Sequence, residues 1–193
     1  EGEAGHHLAS SAVGRPTTPS RTSPRQRLER IATQAREYPD MVFTTLAHHL
    51  DVPMLEFAFD RLNRRSVAGI DRVTWQAYEE DLIPKLEDLH ARLVAREYEP
   101  QPVVRQWIPK SNGKLRPLGL PALEDKLAQR AVADLLENIY EQDFHEFSYG
   151  FRPGRSAHQA LRDLREGLHS NIHYVIDCDI SAFFDNLQHD ELL

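Results

Sequence analysis

The chain has 193 residues, 40% hydrophobic and 27% charged, with a formal net charge of -7. That composition suits a globular protein, and no apolar run approaches the roughly 20 residues a membrane span needs. The first thirty residues lack the apolar core of a signal peptide, and a lone cysteine, Cys178, forms no internal disulfide, so the expected setting is reducing and cytoplasmic with no membrane partner.

Residues 1–27 are rich in Gly, Ser, Thr, Pro and Arg without apolar periodicity, which predicts a disordered segment. The pattern is weakly helical over 28–50, breaks at Pro53, and is helical again over 54–63. Ala68-Gly69-Ile70-Asp71-Arg72-Val73-Thr74 reads as a loop, with Gly69 at a turn and Thr74 able to cap the next helix. Over 76–96, Leu82, Leu86, Leu89 and Leu93 share one helical face, and Pro84 marks either a kink or a join between two shorter helices. Tyr98-Glu99-Pro100-Gln101-Pro102 is a break between two regions. A helical N-terminal part is thus expected over 28–100 and a second region over 101–193.

Residues 103–109 alternate like a strand, Asn112-Gly113 is a hairpin-turn signal, and 115–120 forms the returning strand. Pro117 within that strand points to a sheet edge. Next, Leu123, Leu127, Ala131, Leu135 and Ile139 recur every four residues, predicting a helix over 123–140. Glu124 and Asp125 in its first turn suit the helix dipole. Ser148-Tyr149-Gly150-Phe151-Arg152-Pro153-Gly154-Arg155 is turn-rich. Ser156 and Gln159 then fit a capping box before a stripe of Ala157, Ala160, Leu161, Leu164 and Leu168. Residues 173–180 read as a strand, with Tyr174, Ile176, Cys178 and Ile180 on one face and Val175, Asp177 and Asp179 on the other.

Two spots carry chemistry. The net negative charge argues against a nucleic-acid partner, but its distribution is uneven. Residues 101–120 hold Arg105, Lys110, Lys114 and Arg116 and no acid, whereas 131–151 hold five acids and no Lys or Arg. A basic ribbon with a tight turn suits phosphate contacts; it equally suits a hairpin edge kept soluble by its lysines. The second spot is Asp177-Cys178-Asp179-Ile180-Ser181-Ala182-Phe183-Phe184-Asp185. Two carboxylates on one strand face repel unless water or a cation relieves them, and hard oxygen ligands suit Mg²⁺. An exposed strand face is the plainer alternative.

Four blocks in order resemble group II intron reverse transcriptases. They are Ile108-Pro109-Lys110 with Gly113 through Pro121; Glu124-Asp125-Lys126; Ser148 through His158; and Asp179-Ile180 with Phe183-Phe184-Asp185-Asn186. Ala68-Gly69-Ile70-Asp71 and Tyr98-Glu99-Pro100-Gln101-Pro102 resemble the N-terminal extension of that family. The resemblance implies an α+β right-hand polymerase: a helix-rich extension, then fingers and the start of the palm. It implies RNA-directed DNA synthesis using two Mg²⁺ ions, an RNA template, a DNA or RNA primer and deoxynucleoside triphosphates. By resemblance, Asp179 is the first catalytic aspartate and a ligand of both ions, and the Ile180 backbone carbonyl meets a metal. Lys110 and Arg116 hold the incoming triphosphate. Ala182 and Phe183 lie along it, and Phe184 crowds a ribose 2′-OH and so favours deoxynucleotides. The turn-rich 148–155 loop is given either a packing or a template-contact role, and Asp177 none.

The resemblance also places an adjacent Asp pair and a thumb downstream of Leu193, and no Asp-Asp occurs in this sequence. The expectation is therefore a truncated chain that does not polymerise alone. Relatives of this type also serve as maturases that bind intron RNA, or in phage defence and CRISPR systems, and a decayed remnant is a further alternative.

Overall fold

Ser23 opens the first element. Its hydroxyl accepts from the Gln26 N–H while the Gln26 side chain accepts from the Ser23 N–H, a capping box, and Pro24 occupies the first turn where no N–H is needed. The resulting helix α1 (Pro24–Glu37) buries Leu28, Ile31 and Ala35. In this computed structural model the described residues are 22–111, 113–168, 174–181, 183–188 and 190, so most of the segment expected to be disordered, 1–21, lies outside them.

The helical reading of 28–50 needs correction. The helix begins four residues earlier, at Pro24, and stops at Glu37. Pro39 disfavours helical backbone at Tyr38 and cannot donate to an earlier carbonyl. Residues 38–46 are irregular, and only Ala47–His49 forms a short 3-10 turn. Pro53 likewise sits inside the next helix, α2 (Val52–Asp60), at its second position. Asp51 caps that helix by accepting from the Met54 N–H at 3.0 Å and also holds Arg27 of α1 in a two-pronged pair at 2.7 and 2.9 Å. One carboxylate thus starts α2 and ties it to α1.

Thr74 caps α3 (Trp75–Glu79), accepting from the Ala77 N–H. Then α4 (Leu82–Ala95) follows with Pro84 in its first turn, so of the two readings of Pro84 the join between helices is the one that forms. β1 (Val104–Pro109) and β2 (Leu115–Leu120) make a two-stranded antiparallel ribbon pairing Val104 with Leu120 and Pro109 with Leu115. Helix α5 (Leu123–Tyr140) has the bounds the periodicity gave.

Contacts divide the chain into two units, Glu1–Asp143 and Phe144–Leu193. In the first, α1 and α2 pack on α5, and α2 also packs on α4. Phe59 stacks on Trp75 with centroids 4.7 Å apart, among Leu55, Leu86, Leu89 and Leu127. Leu28, Ile31, Met54 and Leu135 form a second cluster.

The second unit holds α6 (Ala157–Leu168), which starts as expected: the Ser156 hydroxyl accepts from the Gln159 N–H. The strand expected over 173–180 does not form among its described residues. Residues 174–180 are irregular and exposed, and Tyr174, Ile176 and Ile180 lie open rather than on a buried face. A strand persists through its ladder, and no neighbouring strand pairs with this segment among the described residues. No helix among the described residues is long and apolar enough to cross a membrane.

Candidate functional site

The basic ribbon is closed by a tight turn at Gly113. The Lys110 N–H donates to the Lys114 carbonyl at 2.7 Å, the Gly113 N–H donates to the Lys110 carbonyl at 3.0 Å, and Gly113 has φ of +78°, open to glycine at no steric cost. Ile108 pairs with Arg116, so these two side chains share a face, and Lys110 opens the turn directly after β1. Lys110, Lys114 and Arg116 are all exposed. The two residues expected to hold a triphosphate therefore lie exposed on one hairpin, Lys110 in its turn and Arg116 on its second strand.

What anchors this ribbon is the start of α5, and here the Glu124-Asp125-Lys126 block has a structural explanation. The Glu124 carboxylate accepts from Arg92 at 2.8 Å and from the Tyr78 hydroxyl at 3.3 Å. Burial first, then the Glu124 charge, pushes the Tyr78 phenol well above its ordinary range. Asp125, buried, accepts from the Tyr98 hydroxyl and from the Gln101 N–H at 3.1 Å. Burial and that bond raise the Tyr98 phenol likewise. The Lys126 ammonium donates to the Val67 carbonyl. Three consecutive side chains thereby tie α4, the 98–101 segment and the 67–72 loop to the root of the ribbon.

Gly69 makes the same join through backbone. A Cβ there would lie 2.5 Å from the Ala122 N and Cα, closer than real Cβ contacts come, so only glycine lets the loop approach. The sequence shows a turn glycine at this position; the close approach to residue 122, far along the chain, carries no local signal. A second group that the sequence does not reveal is Asp134. It is fully buried on α5 and held by Arg61 at 2.7 Å and by Arg130, which also reaches Glu137 at 2.8 Å.

In the second unit, Arg152 is the packed residue of the 148–155 loop. Its guanidinium donates to the carbonyls of His145 and Ser148 at 2.7 and 2.8 Å and sits over the Phe144 ring. That favours the packing role for Arg152. Its neighbour Phe151 is fully exposed with φ of +55°. The Tyr149 hydroxyl donates to Asp163, which raises its pKa.

Asp179 and Asp177 are both exposed. Ile180 is exposed, and Phe183 and Phe184 meet edge to face at 5.2 Å. The Asn186 amide donates to the Ser181 carbonyl at 3.2 Å and the Asn186 N–H to the Phe183 carbonyl at 3.2 Å, closing the turn that carries the two rings. Ala182 lies outside the described residues. Among the described residues, no three His, Cys, Asp or Glu side chains stand together as a metal site. Asp179 is chemically suited to a hard cation, but the described residues do not complete a two-ion site.

Residues 108–193 match the family described as reverse transcriptase (RNA-dependent DNA polymerase). The chain is 39% identical over 171 residues to the group II intron-encoded protein LtrA of Lactococcus lactis, covering 86% of this chain and 28% of that protein. It is 44% identical over 125 residues to protein YkfC of Escherichia coli, covering 63% of this chain and 33% of YkfC. It is 37% identical over 65 residues to nuclear intron maturase 2, mitochondrial, of Arabidopsis thaliana, covering 34% of this chain and 9% of that protein. The chain spans about a third or less of the length of these curated relatives.

Proposed function

The chain belongs to the group II intron-type reverse transcriptase/maturase family, and from that premise we propose that the protein it represents copies an RNA template into DNA by adding deoxynucleotides to a primer. The observation that carries this reading is the order of the matched blocks: the ribbon with Lys110 and Arg116 comes first, the Asp179 to Asn186 turn last, both inside the matched residues.

In this reading the ribbon belongs to the fingers, residues 28–100 to the N-terminal extension, and the Asp179 segment to the start of the palm. Lys110 and Arg116 neutralise and orient the incoming triphosphate, with Arg116 able to make two parallel bonds to phosphate oxygens. Phe183 and Ala182 line its path by their backbone, and Phe184 narrows the space beside the sugar so that a 2′-hydroxyl is excluded. Asp179 and the Ile180 carbonyl offer oxygen ligands to magnesium. Bound magnesium supplies positive charge for the attacking and leaving oxygens of the transfer. The implied setting is cytoplasmic. Binding to intron RNA in the manner of a maturase is a compatible second role, favoured by the likeness to the Arabidopsis intron maturase.

The experiment is deoxynucleotide incorporation on an RNA template by the parent protein with Mg²⁺. Asp179→Ala abolishes incorporation and Asp177→Ala leaves it largely intact. Arg116→Ala raises KM for the triphosphate about tenfold or more, the loss of a charge-assisted bond. Incorporation that ignores Asp179 overturns the assignment.

A further inference from the structure

The ribbon's second face is left unused by that reading. Opposed residues of an antiparallel pair project to the same side, and successive residues alternate. Ile108 and Arg116 therefore take one face, while Arg105, Trp107 and Pro109 take the other, opposite Gly119, Pro117 and Leu115. Trp107 is 54% exposed, whereas Trp75, the only other tryptophan of the chain, is 3% exposed. The stretch 101–120 around Trp107 has four cations and no acid.

An open indole on a positive ribbon combines the two features that hold single strands: a ring on which a base stacks and cations that follow the phosphates. Away from its ends, a duplex keeps its base faces inside the stack and offers the ring nothing. A wholly apolar protein partner would bury Arg105 unpaired, at a cost.

We propose that Trp107, with Arg105 beside it on the face opposite Arg116, is a stacking platform for one base of a single-stranded nucleic acid. This is a binding property, separable from phosphoryl transfer at Asp179.

The test uses the full 193-residue chain and three probes: a single-stranded oligouridylate of about ten nucleotides, a covalently closed circular duplex, which has no open ends, and heparin as a polyanion without bases. Oligouridylate quenches the tryptophan emission, and heparin and the duplex do not, because Trp75 is buried and Trp107 alone reports. By anisotropy of a labelled oligouridylate, Trp107→Ala weakens binding about tenfold, as loss of one stacked base does. Trp107→Phe keeps a ring and stays within about threefold of the unmodified chain. Both variants keep the unmodified melting temperature, since the side chain is exposed. Equal binding by Trp107→Ala, or equal quenching by heparin, overturns the platform. Failure of the polymerase reading shows separately: incorporation by the parent protein then ignores Asp179 while the quenching persists.

Discussion

In the first unit Phe59 stacks on Trp75 and both rings are buried; in the second, Phe183 meets Phe184 and both stay open to solvent. The contrast extends to the helices. α5 closes its apolar stripe against α1 and α2, while α6 carries Leu161, Leu164 and Leu168 on one side and buries no residue. Both stripes have helical spacing in the sequence. Spacing tells that a helix has an apolar side; what covers that side is decided by other segments. Stability therefore concentrates in the first unit, and the aspartate proposed for catalysis lies in the second, where little packing holds it.

The widest separation between the units comes from a core truncation. Phe59→Ala removes a ring from the Trp75 stack and the Leu55 cluster, and costs about 3–5 kcal/mol. Leu164→Ala, at an exposed position of α6, changes stability by roughly 0.5 kcal/mol or less. Urea denaturation followed by the emission of Trp75 measures the first, and hydrogen exchange of the α6 amides measures the second. Equal costs would break the comparison.

The elements legible in the sequence are those with local causes. Leu123 to Ile139 repeats within one helix, and Thr74 meets the Ala77 N–H three residues on. Gly113 carries its turn by itself. The elements that differ depend on distant residues. The pattern is weakly helical through 28–50 and so suggests one helix. The backbone around Pro39 cannot stay helical, however, and Phe43 packs instead near Ile31 and Met54. The 173–180 segment has strand-like residues but no partner strand among those described. At the candidate site, the position of Lys110 and Arg116 on the hairpin is legible because a hairpin fixes its own register. The metal ligation proposed for Asp179 is not, because carboxylates brought together from separate segments leave no local pattern.

A smaller effect is expected at the join between the 67–72 loop and α5. Gly69→Ala forces Ala122 backbone to shift and costs about 1–3 kcal/mol, as overpacking does. Lys126→Met removes the bond to the Val67 carbonyl and costs about 1 kcal/mol. Since both residues sit at the ribbon's root, hydrogen exchange of Lys110 and Gly113 amides should quicken in Gly69→Ala while α6 amides are unmoved. If the ribbon is unaffected, the loop packs on α5 without steadying it.

The smallest effect is a pH dependence confined to the first unit. His49 is held below the ordinary 6.5, chiefly by burial and then by the charges of His48 and Arg27, with Asp51 opposing. A base whose folded pKa is depressed binds fewer protons folded than unfolded between that pKa and 6.5, so stability rises with pH across that window and falls as acid is added. Asp51 adds a second loss lower down. Burial pushes its carboxyl up, but the Arg27 and Met54 hydrogen bonds and the Arg27 charge carry it below the ordinary 3.8. Its contribution is complete above 3.8 and disappears as pH falls through the folded value. Urea midpoints taken from about pH 8 to about pH 3 should therefore drop in two steps. His49→Gln removes the upper step and keeps the lower, and Arg27→Met shrinks the lower. His49 has its Nδ1 buried without a hydrogen-bond partner, so a glutamine there leaves no titrating group to penalise. An upper step that survives His49→Gln would assign it to another histidine and remove burial of His49 as its cause.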